Sequence, residues 1–454
     1  MNTLGAATLW IANPAAAWTG DGSDAGNGVV IQGNRVVECV PAGRQPRLPI
    51  TYMFDASDLV LLPGLINCHH HFYQTLTRAL PAAQNRELFD WLRALYPVWA
   101  NMDAKAIKIS TQLALAELLL SGCTTAVDHH YLFADGFEHA IDIQVEANAP
   151  IGMRLMLTRG SMSLGESRGG LPPDKVVQDE LLILDESRRL IGHYHQRSDD
   201  AMVQIALAPC SPFSVSSELM KDSAKLAREQ GVLLHTHLAE TADENQFCLK
   251  HFGMRPVDYL ESLDWLAGDT WFAHGIHFTD EEIARLGAVK AGISHCPSSN
   301  MILASGICKV KELEAAGANV GLGVDGSASN DHSNMIQEVR QAFLLQRLRY
   351  GSANVSVDDA LRWATVGGAR LLHRPTLGSL AAGQLADLAL YDLDELRFSG
   401  TSDPLSALIT SGSHRAKHVM VNGEWRVKDF TLADIDLQQL QHLHRAAASR
   451  LVAG

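Results

Sequence analysis

Eight short apolar runs, separated by helical patterns or long connections, occupy the middle of this 454-residue chain. Apolar strands that alternate with helices are typical of a parallel sheet whose outer face is covered by those helices, and eight such units close into a barrel. We therefore predict an α/β fold whose central part is a (β/α)8 TIM barrel. The runs are residues 59–66, 123–127, 151–157, 203–208, 232–234, 271–273, 292–294 and 320–324.

The two flanks of the chain differ from this centre, because their strands are joined by short turns. Two β-branched runs around Gln32–Arg35 predict a hairpin, and residues 386–391 and 418–421 predict two more strands near the C-terminus. Barrel closure brings the ends of the central segment together, so we predict that both flanks form one small β-sandwich domain. The expected boundaries are 1–61 and 376–454 for the sandwich with its C-terminal helix, and 62–375 for the metal-dependent barrel.

The composition excludes several classes of protein. Hydrophobic content of 46% and charged content of 19% are those of a compact globular protein. A formal charge of −14 disfavours a nucleic-acid partner, because phosphate backbones require basic surface. No apolar run approaches the ~20 residues that cross a bilayer, and no Lys or Arg precedes Arg35 to begin a signal peptide. Seven cysteines without a C-x-x-C pair suit a reducing compartment. We expect a cytoplasmic protein with no membrane partner.

A histidine triplet, His69–His71, comes directly after the first apolar run. Because side chains alternate along an extended chain, His69 and His71 project to one face and His70 to the other. Neutral imidazoles suit a borderline divalent metal such as zinc. Three consecutive histidines have little reason to stand in a simple polar turn, so we predict that His69 and His71 are metal ligands.

Further candidate ligands stand at the ends of later runs. His237 follows the fifth run, His274 the sixth and Asp325 the eighth. The active site of such a barrel lies at the C-terminal ends of its strands, so closure brings these side chains to the triplet. His235 alternates onto the same face as His237, and the pattern alone permits either as the ligand. We favour His237, since Glu240 follows three residues later, where a general base can overhang the metal.

Each of these residues also has a plain structural interpretation. Glu240 can complement the helix dipole in a first turn, and Asp325 before Gly326 can mark a tight turn. His277 competes with His274, and we interpret His277 as a loop residue. Beside the other histidines, the functional interpretation is preferred for Glu240, His274 and Asp325.

The residue types indicate hydrolysis assisted by one metal ion. Zinc lowers the pKa of a bound water to about 7, and Asp325 can accept the proton from that water. Glu240 can pass a proton to a ring nitrogen, while His274 can stabilise charge on the attacking oxygen. The fourth run contains no lysine to bridge two metals. We therefore expect one Zn²⁺ per chain, with Fe²⁺ as the alternative.

Several longer stretches carry a resemblance to a known family. The chain resembles the amidohydrolase superfamily over essentially its full length, in the mononuclear branch of purine and aromatic-base deaminases. The resemblance implies the ligand set above and a barrel with a sandwich, and it suggests a homo-oligomer by analogy. The supporting stretches are 63–67 (PGLIN), 294–300 (SHCPSSN), 323–326 (GVDG) and 377–388 (LGSLAAGQLADL).

Within that branch the chain is similar to the bacterial 8-oxoguanine deaminases. In guanine deaminases a Gln three residues after the second metal His binds the purine ring, which implies that role for Gln74. Those enzymes place an Arg where Pro212 stands here, which argues against plain guanine as the best substrate. Cys210 is a candidate for the pocket wall, although a buried free Cys is commonly just a small apolar residue. The similar stretches are 69–81, 158–161 and 208–214.

The resemblance implies a zinc-dependent hydrolytic deamination of a free oxidised purine base, with 8-oxoguanine giving urate and ammonia. The same site also permits an s-triazine amino- or chlorohydrolase, or a guanine-type deaminase. Outside the enzymes, the alternative is a non-catalytic scaffold, which has no need of the complete ligand set that this sequence keeps. The expected partner is a small-molecule nucleobase.

Overall fold

The N-terminal strands form a sheet that precedes the barrel. The computed structural model describes residues 7–453, and in it four of these strands pair in the order β4-β3-β1-β5. The predicted hairpin is confirmed, because β3 and β4 pair antiparallel around Gly33, whose φ of 61° favours glycine. The strands are β1 (Thr8–Ala12), β2 (Ala16–Ala17), β3 (Gly28–Gln32), β4 (Arg35–Cys39), β5 (Tyr52–Asp55) and β6 (Leu59–Pro63).

The central strands close into a barrel, as the alternation of apolar runs and helices predicts. Their order is β10-β11-β12-β13-β14-β7-β8-β9, and every pairing between neighbours is parallel. The (β/α)8 barrel is thus confirmed. The strands are β7 (Leu65–Asn67), β8 (Cys123–His130), β9 (Arg154–Ser161), β10 (Val203–Pro209), β11 (Leu234–Leu238), β12 (Thr270–His274), β13 (Gly292–His295) and β14 (Asn319–Leu322).

The C-terminal strands join two N-terminal ones in a second sheet. Its order is β18-β17-β16-β15-β6-β2, so both flanks of the chain contribute to it. Apolar side chains from the two sheets, including Val29 and Leu388, share one buried core. This confirms the predicted sandwich of N- and C-terminal segments. The strands are β15 (Leu388–Asp392), β16 (His418–Val421), β17 (Glu424–Lys428) and β18 (Thr431–Leu432).

The first apolar run, residues 59–66, is two strands and not one, so that part of the prediction is wrong. The chain breaks between β6 and β7: β6 pairs antiparallel with β15 in the sandwich, whereas β7 pairs parallel with β8 and β14 in the barrel. Gly64 stands at the break, where a Cβ atom would lie 2.1 Å from the Thr124 hydroxyl. Only glycine therefore lets the chain pass so close to β8 as it changes sheets.

Helices follow most barrel strands and surround the barrel. Within residues 7–453, none of them combines the length and the apolarity that crossing a bilayer requires. A π-helical turn, Trp363–Gly367, lies between α12 and α13. The helices are α1 (Leu88–Trp99), α2 (Ala104–Leu120), α3 (Ala140–Asn148), α4 (Glu180–Tyr194), α5 (Ser217–Gln230), α6 (Ala242–Phe252), α7 (Pro256–Ser262), α8 (Asp280–Ala288), α9 (Pro297–Ile302), α10 (Val310–Ala316), α11 (Met335–Tyr350), α12 (Val357–Arg362), α13 (Gly368–Leu371), α14 (Pro404–Thr410) and α15 (Leu437–Ala453).

A buried ion pair fastens the barrel to the second sheet. Arg154, at the start of β9, donates to both carboxylate oxygens of Asp387 over 3.1 Å each. The remaining guanidinium hydrogens point to the backbone oxygens of Asp200 and Ala201 and to the Asn422 side chain. Both charged groups are buried, and each has hydrogen-bond partners on several sides. A buried pair of this kind needs such partners to offset its desolvation.

Candidate metal centre and active site

Three imidazoles and one carboxylate meet at the C-terminal end of the barrel. His69 and His71 follow β7, His237 lies near the end of β11, and Asp325 follows β14. The Nε2 atoms of His71 and His237 are 3.2 Å apart, and those of His69 and His71 each lie 3.3 Å from Asp325 Oδ1. All four predicted ligands are therefore placed together with their ligand atoms facing one another.

The other ring nitrogen of each histidine is held by a hydrogen bond. His71 Nδ1 donates to the backbone oxygen of His129, and His237 Nδ1 donates to that of Cys210, both over 2.7 Å. His69 Nδ1 lies 2.8 Å from His235 Nε2. With Nδ1 as the donor in all three rings, each Nε2 keeps a free lone pair, which is the tautomer that a metal ligand requires.

His235 lies one layer deeper than the three converging rings. Its Nδ1 is 2.9 Å from the backbone oxygen of Trp271, so its Nε2 is left to accept the hydrogen of His69 Nδ1. The ring also stacks on the Trp271 indole, with centroids 4.3 Å apart. Between the two histidines that the sequence pattern permits, the structure brings His237 into the cluster and uses His235 to orient His69.

Asp325 and His274 share a backbone conformation that L-residues rarely adopt. Their φ angles are 62° and 76°, in the left-handed region. Such conformations cost on the order of 1–3 kcal/mol each and are concentrated at functional sites. Asn300 Nδ2 lies 3.0 Å from His274 Nδ1 and can donate to it, which places the ring hydrogen on Nε2. That Nε2 is 3.5 Å from Glu240 Oε2 and 3.9 Å from Asp325 Oδ2.

Glu240 is a buried carboxyl group at the turn between β11 and α6. Burial, followed by the charges of Asp325 and Glu244, raises its pKa well above the ordinary value. Glu244 accepts hydrogen bonds from the backbone N–H groups of Ala239 and Glu240, both over 2.9 Å. Because these bonds hold the backbone of the turn, Glu244 fixes the position of the Glu240 Cα atom. A carboxyl group with a raised pKa can both carry and release a proton near neutral pH.

Burial keeps the histidines of the cluster neutral. It lowers the pKa of His237 to about 3 and that of His69 well below the ordinary value. Burial alone would raise the pKa of Asp325, but contacts with His69, His71 and His274 lower it overall, so this carboxyl group is ionised. Neutral imidazoles with one carboxylate are the donor set of zinc. The buried Nε2 of His69 has no hydrogen-bond partner within residues 7–453, which fits a metal at this point.

His129 belongs to the same cluster, although the sequence pattern does not single it out. Ligand atoms of His69, His71, His129 and His237 lie within 4.8 Å of one another, as do those of His69, His274 and Asp325. The His129 ring stacks on His237 with centroids 4.7 Å apart, and its Nε2 is 3.0 Å from the Ala208 backbone oxygen. The predicted strand ended at residue 127, whereas β8 continues to His130. Val127 and His129 are two residues apart, so they face the same side of β8. Extending the predicted strand by three residues could therefore have revealed His129.

A cavity opens beside this cluster, and both predicted substrate-binding residues line it. Gln74 lies on the turn Phe72–Thr77, and a Cβ atom on Gly326 would lie 1.8 Å from its Oε1, so a side chain at position 326 would displace the Gln74 amide. Cys210 follows β10, with its Sγ 4.0 Å from His237 Nδ1. The lining residues are His71, Gln74, Leu88, Trp91, Leu92, Tyr96, Tyr131, Cys210, Phe213, His237, Glu240, His274, Leu303, Asp325 and Ser329.

Comparison with known proteins agrees with this geometry. The model of the amidohydrolase family matches residues 60–426. The chain is 61% identical to the 8-oxoguanine deaminase of Pseudomonas aeruginosa, over 98% of this chain and 99% of that protein. It is 38% identical to a hydroxydechloroatrazine ethylaminohydrolase of Pseudomonas sp., over 82% of this chain and 79% of that protein.

A solved structure shares the whole architecture. The atrazine chlorohydrolase of Arthrobacter aurescens, determined in complex with zinc, superposes with a TM-score of 0.90 at 30% identity. The alignment covers 97% of this chain and 100% of that one. Together with the matched family model, which spans most of the sequence, these similarities show that the chain belongs to the amidohydrolase family.

Proposed function

We propose that this chain is a zinc-dependent aminohydrolase that converts 8-oxoguanine and water into urate and ammonia. The observation that carries the proposal is a cluster of four side chains with Glu240 beside it in a cavity: the Nε2 atoms of His69 and His71 lie at Asp325, and the Nε2 atom of His237 lies at that of His71. Similarity at 61% identity to an 8-oxoguanine deaminase supports the choice of substrate.

The residues that would hold the metal are His69, His71, His237 and Asp325, with one Zn²⁺ per chain and Fe²⁺ as the alternative. When bound, the metal supplies Lewis acidity and lowers the pKa of a bound water to about 7. His129 closes the same side of the cluster and keeps the rings of the ligands in place by stacking on His237.

The protein's own groups would move the protons. Asp325 accepts a proton from the attacking water, whose oxygen adds to the ring carbon that bears the amino group. Glu240, kept protonated by its raised pKa, donates to the adjacent ring nitrogen. His274 lies between these two carboxyl groups and stabilises the charge that develops on the oxygen. Asp325 then passes the proton from water to the amino group, the carbon–nitrogen bond breaks, and NH3 leaves. The remaining hydroxyl proton returns to Glu240 as the carbonyl forms, and the proton that Glu240 donated stays on the ring nitrogen of the product.

Two cavity residues would orient the base. The Gln74 amide, whose buried Oε1 has no partner within residues 7–453, can pair with the edge of a purine. Cys210 offers a small apolar surface, because burial raises the pKa of its thiol to about 12 and keeps it neutral. Guanine deaminases have an Arg at the position that Pro212 occupies here. The absence of that Arg suits a purine that is substituted differently from guanine.

An s-triazine hydrolase is the second candidate. The relative at 38% identity is a hydroxydechloroatrazine ethylaminohydrolase, and the structural neighbour is an atrazine chlorohydrolase. The same hydrolytic groups can displace an amine or chloride from a triazine ring. This alternative differs from the first only in the substrate that the cavity admits.

Ammonia release from 8-oxoguanine, guanine, isoguanine and hydroxyatrazine, measured in parallel on the zinc-loaded enzyme, tests the proposal. We expect kcat/KM of at least ~10⁴ M⁻¹s⁻¹ on 8-oxoguanine and much slower turnover of guanine. Activity on the triazine alone would overturn the substrate while leaving the hydrolytic chemistry in place. Absence of hydrolysis with well below one metal per chain would favour a scaffold.

A variant of the proposed general acid tests its role, and a variant of an exposed glutamate is the matched control. Glu240→Gln is expected to lower kcat by about 10²–10⁴-fold with zinc retained, because the amide cannot donate the proton in the same way. Glu229→Gln removes a solvent-exposed carboxylate on α5 and should leave the rate unchanged. Wild-type turnover by the Glu240 variant with metal bound would contradict the assigned role.

We further propose that the enzyme is a homo-oligomer that acts in the cytoplasm, with domain boundaries at residues 61/62 and 375/376. Light scattering on the purified protein measures the assembly. A monomer at micromolar concentration would overturn that part of the proposal without affecting the chemistry.

A further inference from the structure

The middle histidine of the triplet has no part in the proposed chemistry, yet it is deeply buried. His70 is 0% exposed, and both of its ring nitrogens have partners. Its Nδ1 accepts the backbone N–H of His71 over 2.7 Å, and its Nε2 lies 2.8 Å from the Ser333 hydroxyl. His70 therefore contacts the backbone of one proposed ligand and a side chain that lies 263 residues further along the chain.

These two contacts determine which ring nitrogen of His70 carries the hydrogen. A backbone N–H group can only donate, so Nδ1 presents its lone pair to His71. The hydrogen of the neutral ring is then on Nε2 and is donated to the Ser333 oxygen. Without that acceptor the other tautomer becomes available, and its Nδ1–H would face the N–H of His71. Ser333 thus keeps His70 in the form that holds the His71 backbone.

Ser333 lies on the loop that begins with the fourth proposed ligand. Asp325 follows β14, and the loop from there to α11 carries Ser327 and Ser333. The two serine hydroxyl groups are buried and 2.9 Å apart. The hydrogen bond between His70 and Ser333 therefore joins the segment with the histidine triplet to the loop that carries Asp325.

Two further contacts hold the same loop against the segment that follows β7. Arg78 Nη2 donates to the Ser327 hydroxyl over 3.3 Å, and the Ala79 backbone N–H donates to Asp331 Oδ1 over 2.7 Å. The φ angle of Asp331 is 63°, in the left-handed region. Such backbone costs on the order of 1–3 kcal/mol and persists where its surroundings hold it. Of the three contacts, the one that His70 makes adjoins the proposed metal ligands in sequence.

We propose that His70 is a positioning residue of the metal site, which holds His71 by its backbone and, through Ser333, fixes the loop that carries Asp325. The inference rests on the proposed function and deepens it, because it concerns the same metal site. In this role His70 touches neither the metal nor the base. Partners that orient the ligands of a metal are typically worth about 10–100-fold in metal affinity.

Three variants, compared by chelator competition for zinc, test the proposal. We expect His70→Phe to lower the zinc affinity by about 10–100-fold, because the phenyl ring forms neither hydrogen bond. Ser333→Ala removes only the acceptor of the Nε2 hydrogen, and we expect a loss of about fivefold. His70→Asn should recover most of the affinity, because its amide oxygen, like Nδ1, is bonded to Cγ and can accept the N–H of His71.

A buried serine outside the site is the matched control for Ser333. The hydroxyl of Ser187 donates to the Ile183 backbone oxygen within α4 over 2.7 Å. Ser187→Ala is therefore expected to keep the wild-type zinc affinity. Equal losses in Ser187→Ala and Ser333→Ala would overturn the proposal, because the effect would then follow from any lost buried hydrogen bond.

The visible absorption of the cobalt-substituted proteins separates positioning from a general loss of stability, because cobalt(II) bands respond to the geometry of the ligands. We expect altered bands in His70→Phe and wild-type bands in His70→Asn. Equal effects of these two variants on affinity and spectrum would overturn the proposal, since the acceptor for the His71 N–H would then not matter. If His70→Phe does not fold, Ser333→Ala decides by the same two measurements.

The outcomes also separate this inference from the function on which it rests. If the wild type binds zinc and deaminates 8-oxoguanine while His70→Phe and Ser333→Ala keep its affinity and cobalt spectrum, the role of His70 is overturned and the function stands. If the wild type binds zinc but hydrolyses no purine, the substrate assignment fails, and the affinities of the variants still decide the role of His70. A wild type that binds no zinc would overturn both.

Discussion

Two buried clusters of charged and polar groups differ in how completely their hydrogen bonds are satisfied. At the junction of barrel and sandwich, Arg154 and Asp387 bind each other through two hydrogen bonds and have further partners around them. At the candidate metal centre, the Nε2 of His69 is buried and has no hydrogen-bond partner among residues 7–453, and the Nε2 atoms of His71 and His237 face each other at 3.2 Å. Arg154, Asp387, His69 and His71 are all buried, whereas His237 is half-buried.

Whether buried polar groups have hydrogen-bond partners separates structural from functional groups in this molecule. A satisfied cluster stabilises the fold without needing anything else, whereas a cluster with free lone pairs and strained backbone is incomplete without a ligand. The left-handed φ angles of His274 and Asp325 occur on the incomplete side. Substitutions in the two clusters should therefore affect different measurements.

The largest effect is expected from Asp325→Asn. We expect kcat/KM to fall by more than about 10³-fold, because this change removes the proposed metal ligand and the proposed acceptor of the water proton. The measurement is steady-state deamination together with the metal content per chain. If the variant keeps wild-type activity with metal bound, the functional assignment of the cluster around Asp325 is wrong.

Asp387→Asn is the matched change at the junction. It leaves the buried Arg154 without its counter-charge, so we expect the free energy of unfolding to fall by about 3–5 kcal/mol. Activity per folded molecule, assayed well below the melting temperature, should stay within a few-fold of wild type. Loss of activity without loss of stability would show that Asp387 serves the reaction and not the stability of the fold.

A pH-dependent stability effect is expected from Glu338, which supports two loops of the site. Its carboxyl group accepts hydrogen bonds from Ser298 and Asn330, and burial raises its pKa to about 7 from an ordinary 4.5. The folded state therefore holds an extra proton between pH 4.5 and about 7, and the stabilisation from that proton is lost as the pH rises through 7.

The Glu338→Gln variant carries no such proton. Relative to wild type, its free energy of unfolding should increase by up to about 3 kcal/mol between about pH 4.5 and pH 8. Denaturant unfolding of the metal-free proteins at several pH values measures the change, with Glu229→Gln as the exposed control. Parallel curves for wild type and Glu338→Gln would show that the carboxyl group does not change its protonation on folding.

The smallest effect is expected from His235→Phe. The phenyl ring can keep the stacking on Trp271 but cannot accept the hydrogen of His69 Nδ1. We expect the affinity for zinc to fall by about 10–100-fold, as measured by competition with a chelator. His444→Phe replaces another buried imidazole, which loses its hydrogen bond to the Thr75 hydroxyl, and should not change the affinity. Equal losses in both variants would point to a general loosening of the fold.

The barrel and the convergence of the four proposed ligand residues could be predicted because both follow from local patterns. Strand alternation directs His69 and His71 to one side, and the position of His237 and Asp325 after apolar runs implies the rest. The dipeptide Pro63-Gly64 is a local signal for the break, but the apolar residues on both sides of it do not show that two different sheets bury them. Only their three-dimensional partners separate residues 59–66 into β6 and β7.

Contacts that form only when the barrel closes could not be predicted from the sequence pattern. The stacking of His129 on His237 joins β8 to β11, which are not neighbours in the barrel. The buried hydroxyl of Tyr96, which has no hydrogen-bond partner in the described range 7–453, likewise depends on how α1 lies over the cavity. An aromatic residue in a helix usually belongs to a core, so the sequence does not single this one out. Periodicity shows which residues are buried but not which polar atoms are left without a partner.

The split at Gly64 also has a consequence for synthesis on the ribosome. β6 pairs with β15, whose residues emerge only after the whole barrel has been translated. At roughly 5–20 residues per second, the N-terminal strands wait on the order of tens of seconds for that partner. During this interval β6 lacks the strand that later covers one of its edges, and an unpaired strand edge is open to pairing with other chains, so the nascent chain is exposed to aggregation until β15 is made.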